Sequence, residues 1–318
     1  MRDFTLNIYK SLLVELIKTN YRFMTFAEFV QEPDKKEKAI ILRHDVDRKP
    51  LRSLRTAEIE KELGLKGTYY FRVVKNELPV DVIKRIAKLG HEIGYHYDDL
   101  NAAGGALGKA LEFFQKNLAK LREIAQVETA CMHGSPLARF DNRELWENKN
   151  YREFGIKGEP YFDVDFSEVM YLTDTGRRWD GEKVNIRDKV RGNGLGVRGK
   201  KEEGGGQRLE VRGEREKRGQ KKDNREEKES RGAVCSPGGT DQSDPPTYAD
   251  DWCCDPLVLR LHSTVDILLA LKKDLLPDKI MMTIHPQRWN DQWLPWIWEL
   301  GWQKVKNVVK YFIARSNS

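Results

Sequence analysis

Ala39-Ile40-Ile41-Leu42 is a short, unbroken apolar run that ends in Arg43-His44-Asp45-Val46-Asp47. It is too short for a helix and reads as a buried strand with a polar cluster at its mouth. The same grammar recurs. Lys66 to Val74 is β-branched and aromatic, Glu92-Ile93-Gly94-Tyr95 is a short strand, and Thr129-Ala130-Cys131-Met132 another. Val169 to Thr173 and Lys279 to Ile284 follow in the same style. Between them the spacing predicts helices over Leu51–Leu63 and Pro79–Leu89, closed by Gly64 and Gly90, and over Leu107–Ala125. Residues 5–30 also show helical spacing, through Ile8, Leu12, Leu13, Leu16 and Ile17. Strands alternating with helices fold as parallel β/α units, so the fold class is α/β. Such a fold gathers its functional residues at the strand ends.

Charge is unevenly spread. The chain has 318 residues, 56 basic and 50 acidic, and a sequence pI near 8.9. Residues 187–232 hold 16 basic and 10 acidic side chains, ten glycines and only five aliphatic residues, which leaves 40 of each sign elsewhere. The basic character therefore belongs to one segment, and no nucleic acid is expected as a partner of the folded domain. That segment cannot bury enough apolar surface to offset its chain entropy. Residues 187–255 are expected to be a disordered, charged insertion in one discontinuous domain made of 1–186 and 256–318. No run of about 18 apolar residues is present, so no membrane span is expected. The first residues do not read as a secretory signal. Cys131, Cys235, Cys253 and Cys254 show no C-x-x-C spacing. A cytoplasmic location is the expectation that follows.

The polar clusters carry the chemistry. His44, His91, His96, His133 and His285 all fall at expected strand ends or in adjoining turns. Two carboxylates one residue apart, Asp45 and Asp47, with an imidazole from a later strand make a divalent-metal site with a spare base. The alternative is that both carboxylates cap the helix from Leu51 or pair with Arg43 and Arg48. His91 and His262 read as structural, and His44 is open between the two. Trp293, Trp296, Trp298 and Trp302 recur at helical spacing and read as packing, whereas Trp179 and Trp289 stand beside candidate motifs and could stack on a sugar.

Taken together, these motifs resemble the polysaccharide deacetylase (NodB-homology) family over about residues 36–186 and 256–305. Arg43-His44-Asp45-Val46-Asp47 resembles the family's first motif. Gly67-Thr68-Tyr69-Tyr70-Phe71 resembles its second strand, and Gly90-His91-Glu92-Ile93-Gly94-Tyr95-His96 the lead into its metal-histidine motif. Ile284-His285-Pro286 resembles the closing motif, and Asp174 to Trp179 in part the motif that orients its histidine. The resemblance implies a distorted (β/α) barrel. It implies Asp45 as general base, His285 as catalytic acid oriented by Asp174, and Asp47 and His96 as metal ligands. The metal would be divalent, zinc first, with cobalt or nickel as alternatives. The reaction implied is hydrolysis of a non-peptide carbon–nitrogen amide, on an N-acetylated carbohydrate or another small amide.

Two departures matter. Leu100 stands where the family places its second metal histidine, and His133-Gly134-Ser135-Pro136 where it places an arginine. His133, Asp98 or Asp99 is the replacement ligand to look for. The rival expectations are a metal-independent or cyclic-amide hydrolase on the same scaffold, and a catalytically lapsed carbohydrate-binding protein.

Overall fold

The computed structural model describes residues 2–33, 37–134, 138–179, 261–294 and 296–301. The expected insertion at 187–255, the pattern resuming at 256–259, and Ser135, Pro136 and Trp302 lie outside them.

The chain opens with α1 (Leu6–Lys18), β1 (Arg22–Met24) and α2 (Phe26–Gln31), where a single helical stretch is expected. Two local signals divide it. Asn20 takes left-handed backbone (φ 63°), and Thr25 starts α2 through a capping box with Glu28. Next come β2 (Ala39–Val46), α3 (Leu51–Glu62), β3 (Thr68–Phe71), α4 (Val80–Lys88) and β4 (Glu92–Tyr97). A one-turn α5 (Asp99–Ala102), α6 (Leu107–Arg122), β5 (Val127–Met132), a short α7 (Pro160–Asp163) and β6 (Met170–Thr173) follow. The last elements are α8 (Thr264–Lys272) and β7 (Lys279–Ile284), and residues 293–294 and 296–301 are helical. α4 stops where expected because Gly90 turns the chain with φ of +97°, which side-chain-bearing residues rarely adopt.

Every pairing in the seven-stranded sheet is parallel, in the order β5-β4-β3-β2-β7-β6. β7 lies along Ala39–His44 of β2, so β1 (on Ala39–Ile41) and β3 (on Arg43–Val46) share the other edge. The fold is thus the expected α/β class, a distorted barrel-type sheet that is not closed among the described residues. β6 and β7 lie on either side of 180–260 in sequence yet pair directly.

Side-chain alternation divides the core. Ala39 and Ile41 face an inner cluster with Met24, Phe26, Tyr70, Cys131 and Met281. Ile40 and Leu42 face outward, against α1 and α8. A third cluster packs β3, β4 and β5 against α4 and α6. Gly94 belongs to this architecture: a Cβ there would lie 2.3 Å from the Tyr70 ring. The glycine lets that ring cross β4 and its hydroxyl reach Thr129 Oγ1 at 3.1 Å.

Candidate metal centre

Parallel strands place all their C-terminal ends on one side. Asp45 and Asp47 come from the end of β2, His96 from β4, and Arg72, His133, Asp174 and His285 from the residues just after β3, β5, β6 and β7. Leu100, one turn past β4, is fully buried in the hydrophobic core and contributes nothing here.

β2 runs on past the apolar run that ends at Leu42 and reaches Val46, so Asp45 lies inside the strand at 1% exposure. A buried charge needs a partner. Arg43, two residues earlier on the same strand face, supplies it with Nε to Oδ1 and a terminal nitrogen to Oδ2, both 2.8 Å. Neither Asp45 nor Asp47 caps α3, whose N-cap is Pro50 without any side-chain bond.

Asp47 is the meeting point. Its Oδ1 lies 3.3 Å from both His96 Nε2 and His133 Nδ1, and its Oδ2 lies 3.8 Å from His285 Nε2. Burial alone would raise the Asp47 carboxyl, but the His133, His96 and His285 imidazoles outweigh it and hold it well below the usual carboxylate range. Gln287, just after His285, donates its amide to Asp47 Oδ2 at 3.4 Å.

The donor set suits a divalent ion. One ligand atom each from Asp47, His96 and His133 lie within 4.8 Å of one another, and Asp47 Oδ1 is buried without a hydrogen-bond partner. His96 Nδ1 lies 3.0 Å from the Cys131 carbonyl, which only accepts, so Nδ1 is protonated and Nε2 is the nitrogen that faces the site. One carboxylate and two imidazoles match a zinc ligand set. A second group, Asp45, His96 and Cys131, has the same compactness. The Arg43 guanidinium already occupies both oxygens of Asp45, and its charge disfavours a cation there.

The other candidate ligands are engaged elsewhere. Asp98 pairs with Arg72 at 2.5 Å and accepts from Asn101 and Asn142. Asp99 is enclosed by the Tyr95 hydroxyl and Asn117, and burial pushes its carboxyl up to about 6.

Opposite Asp47 stands a buried pair. Asp174, fully enclosed, accepts His285 Nδ1 at 2.6 Å, the His285 backbone N–H at 2.9 Å, Arg288 at 2.7 Å and Trp289 Nε1 at 2.7 Å. Burial would raise its carboxyl; the Arg288 and His285 charges hold it below the ordinary value. Asp174, which only accepts, takes the Nδ1 proton of His285 at the shorter of two contacts (Arg288 lies 2.9 Å from the same nitrogen), and Nε2 turns toward Asp47.

Several expectations are corrected here. Trp179 and Trp289 are 2% and 1% exposed and pack with Phe4 and Tyr9, so they are not sugar platforms. Trp293 and Trp298 are 60% and 76% exposed and are not core packing. His44 points away from the site. It stacks on Tyr69 at 3.9 Å and meets Glu60 at 2.9 Å in a buried cluster with Tyr9 and His91. The alternative pairing with Arg43 holds for Asp45, whereas Arg72, Gln287 and Arg288 went unremarked in the sequence. Period-two spacing to Asp45 is a signal that finds Arg43, and none of comparable strength marks the others.

No family model and no curated protein matches this chain. A solved structure with some likeness is that of a family 4 carbohydrate esterase from Bacillus anthracis. It is 20% identical over 48% of this chain and 67% of its own, with a TM-score of 0.30. A likeness of that size says nothing of activity. No described helix is long and apolar enough to cross a membrane.

Proposed function

We propose that this chain is a metal-dependent hydrolase of a non-peptide carbon–nitrogen amide, acting on an N-acetyl group of a carbohydrate. The observation that carries the reading is the convergence on Asp47 of two imidazoles at 3.3 Å and of a third, backed by a buried carboxylate, at 3.8 Å. Asp47, His96 and His133 would hold the ion. A divalent cation there supplies Lewis acidity toward an acyl carbonyl. The chain's own residues do the proton work. Water oxygen bonds to the acyl carbon as the carbon–nitrogen bond breaks. Asp45, held in place by Arg43, takes the water's proton, and His285 Nε2 gives one to the departing amine. With Nδ1–H on Asp174, a proton on Nε2 makes His285 an imidazolium, and Asp174 shares its charge between that ring and Arg288. A metal-independent amide hydrolase is the second reading, favoured by the 3.2 Å contact between His133 Nδ1 and His96 Nε2, which lets the two rings hold each other without an ion.

The test is acetate release from an N-acetylated chitooligosaccharide by chelator-treated protein, before and after zinc is returned. Zinc-dependent release that is lost in Asp47→Ala supports the proposal. Release unaffected by the chelator transfers the reading to the metal-independent alternative, and no release under either condition removes the hydrolase reading.

A further inference from the structure

Arg72 lies just beyond β3. One of its terminal nitrogens lies 3.1 Å from His133 Nε2, and the other is paired with Asp98 at 2.5 Å. Asp98 is itself held by Asn101 and Asn142, and Asn142 also bonds the His133 carbonyl at 3.0 Å. The guanidinium is thereby anchored against the outer nitrogen of the His133 ring.

A guanidinium has five donors, no acceptor, and does not lose its proton in a protein. His133 Nε2 must therefore be the nitrogen with the lone pair, and the ring proton must sit on Nδ1. A doubly protonated ring would set donor against donor. His96 fits this assignment, since its own proton is committed to the Cys131 carbonyl and its Nε2 accepts from His133 Nδ1 at 3.2 Å. The proton thus lies on the nitrogen that faces both His96 Nε2 at 3.2 Å and Asp47 Oδ1 at 3.3 Å, the side on which an ion would sit.

We propose that Arg72 is a positioning residue that fixes His133 in the tautomer unable to bind a metal, so that His133 joins Asp47 and His96 only when Arg72 withdraws from Nε2. The inference rests on the metal reading above and adds a control to it. Ligation through Nδ1 moves the ring proton to Nε2, where it needs an acceptor or water; Arg72 offers neither.

Two measurements on the full chain test this, with zinc alone as probe. Nitrogen-15 NMR of the imidazoles in metal-free protein reports the tautomer directly. Wild type should show His133 with a protonated Nδ1 and a bare Nε2. Arg72→Gln, which offers an amide oxygen to Nε2–H, should move the proton across. Zinc affinity by chelator competition should then tighten in Arg72→Gln by about 10–100-fold, the usual scale for groups that orient metal ligands. The gain should vanish in Arg72→Gln/His133→Ala. Arg72 is 23% exposed and should be replaceable without unfolding; Arg72→Ala provides an independent variant expected to tighten zinc in the same direction. A gain that survives His133→Ala would mean that only a repelling charge was removed and would overturn the proposal. So would a His133 Nδ1 without a proton in wild type. Absence of zinc binding in wild type and all variants would instead overturn the metal reading itself.

Discussion

Asp174→Asn perturbs the most heavily hydrogen-bonded carboxylate beside the centre. Its two oxygens divide four donors: His285 Nδ1 and Arg288 on Oδ1, and the His285 backbone N–H and Trp289 Nε1 on Oδ2. An asparagine presents one oxygen and one NH2 group, so whichever way it lies, two donors face another donor. Hydrogen bonds to a charged partner are worth about 1.5–3 kcal/mol each. Two of them set a loss of roughly 3–6 kcal/mol, consistent with the ~3–5 kcal/mol expected when a buried ion pair loses one partner and Arg288 keeps its charge. If the NH2 faces His285, the ring accepts at Nδ1 and moves its proton to Nε2, and the imidazolium loses its counter-charge. Turnover should then fall by about 10²–10⁴. Guanidinium unfolding gives the first number and acetate release under conditions where the variant is still folded gives the second. A variant within about 1 kcal/mol of wild type, or one that turns over at the wild-type rate, would refute the role given to the Asp174–His285 pair.

Three further outcomes are expected. Glu159 is fully buried, and burial raises its carboxyl from 4.5 to about 8 against the opposing pull of the Met132 backbone N–H and Arg43. A raised folded value means its stabilising contribution is complete below about pH 4.5 and is lost as pH rises toward 8. Over that window wild type should lose up to about 1.4 kcal/mol per pH unit relative to Glu159→Gln, and denaturation curves that stay parallel across it would exclude the assignment. Asp45→Asn should cut turnover by about 10²–10⁴ with zinc binding retained, and should also destabilise by about 3–5 kcal/mol because Arg43 is left buried and unpaired; a stable, active variant in the same two assays would remove Asp45 as the base. Residues 187–255 are proposed to be an insertion, so deleting 192–232 should change stability by no more than about 1 kcal/mol, since loop-closure cost grows slowly with length, and an insoluble or unfolded product would contradict this.

The strand–helix alternation was legible because period and punctuation are local. β2, α3, α4, β4, α6, β5, β6 and β7 lie within a few residues of their expected bounds, and α3 and α4 end beside the glycines that mark them. The opening helix was over-extended because its spacing continues through Asn20 and Thr25, whose backbone and capping preferences break it. The gathering of Asp45, Asp47, His96, His133, Asp174 and His285 was legible from their places after apolar runs, because parallel strands bring such ends together. What was not legible is which neighbour each one meets. His44 and Asp45 are adjacent in sequence yet face opposite sides of the strand, and Asp98 and Asp99 are both acidic yet each is enclosed by a different set of donors. The tryptophans show the same limit, since helical spacing marks a face but not what covers it.

Asp47 and His96 are proposed to hold a catalytic cation. X-ray absorption of the stoichiometric zinc-loaded protein in solution tests it, because the two compact donor groups differ in sulfur. Only nitrogen and oxygen neighbours at about 2.0–2.2 Å are expected, with loss of bound zinc in Asp47→Ala. A sulfur neighbour at about 2.3 Å would place the ion on Cys131 with Asp45 instead, and full zinc occupancy in Asp47→Ala would contradict the claim outright.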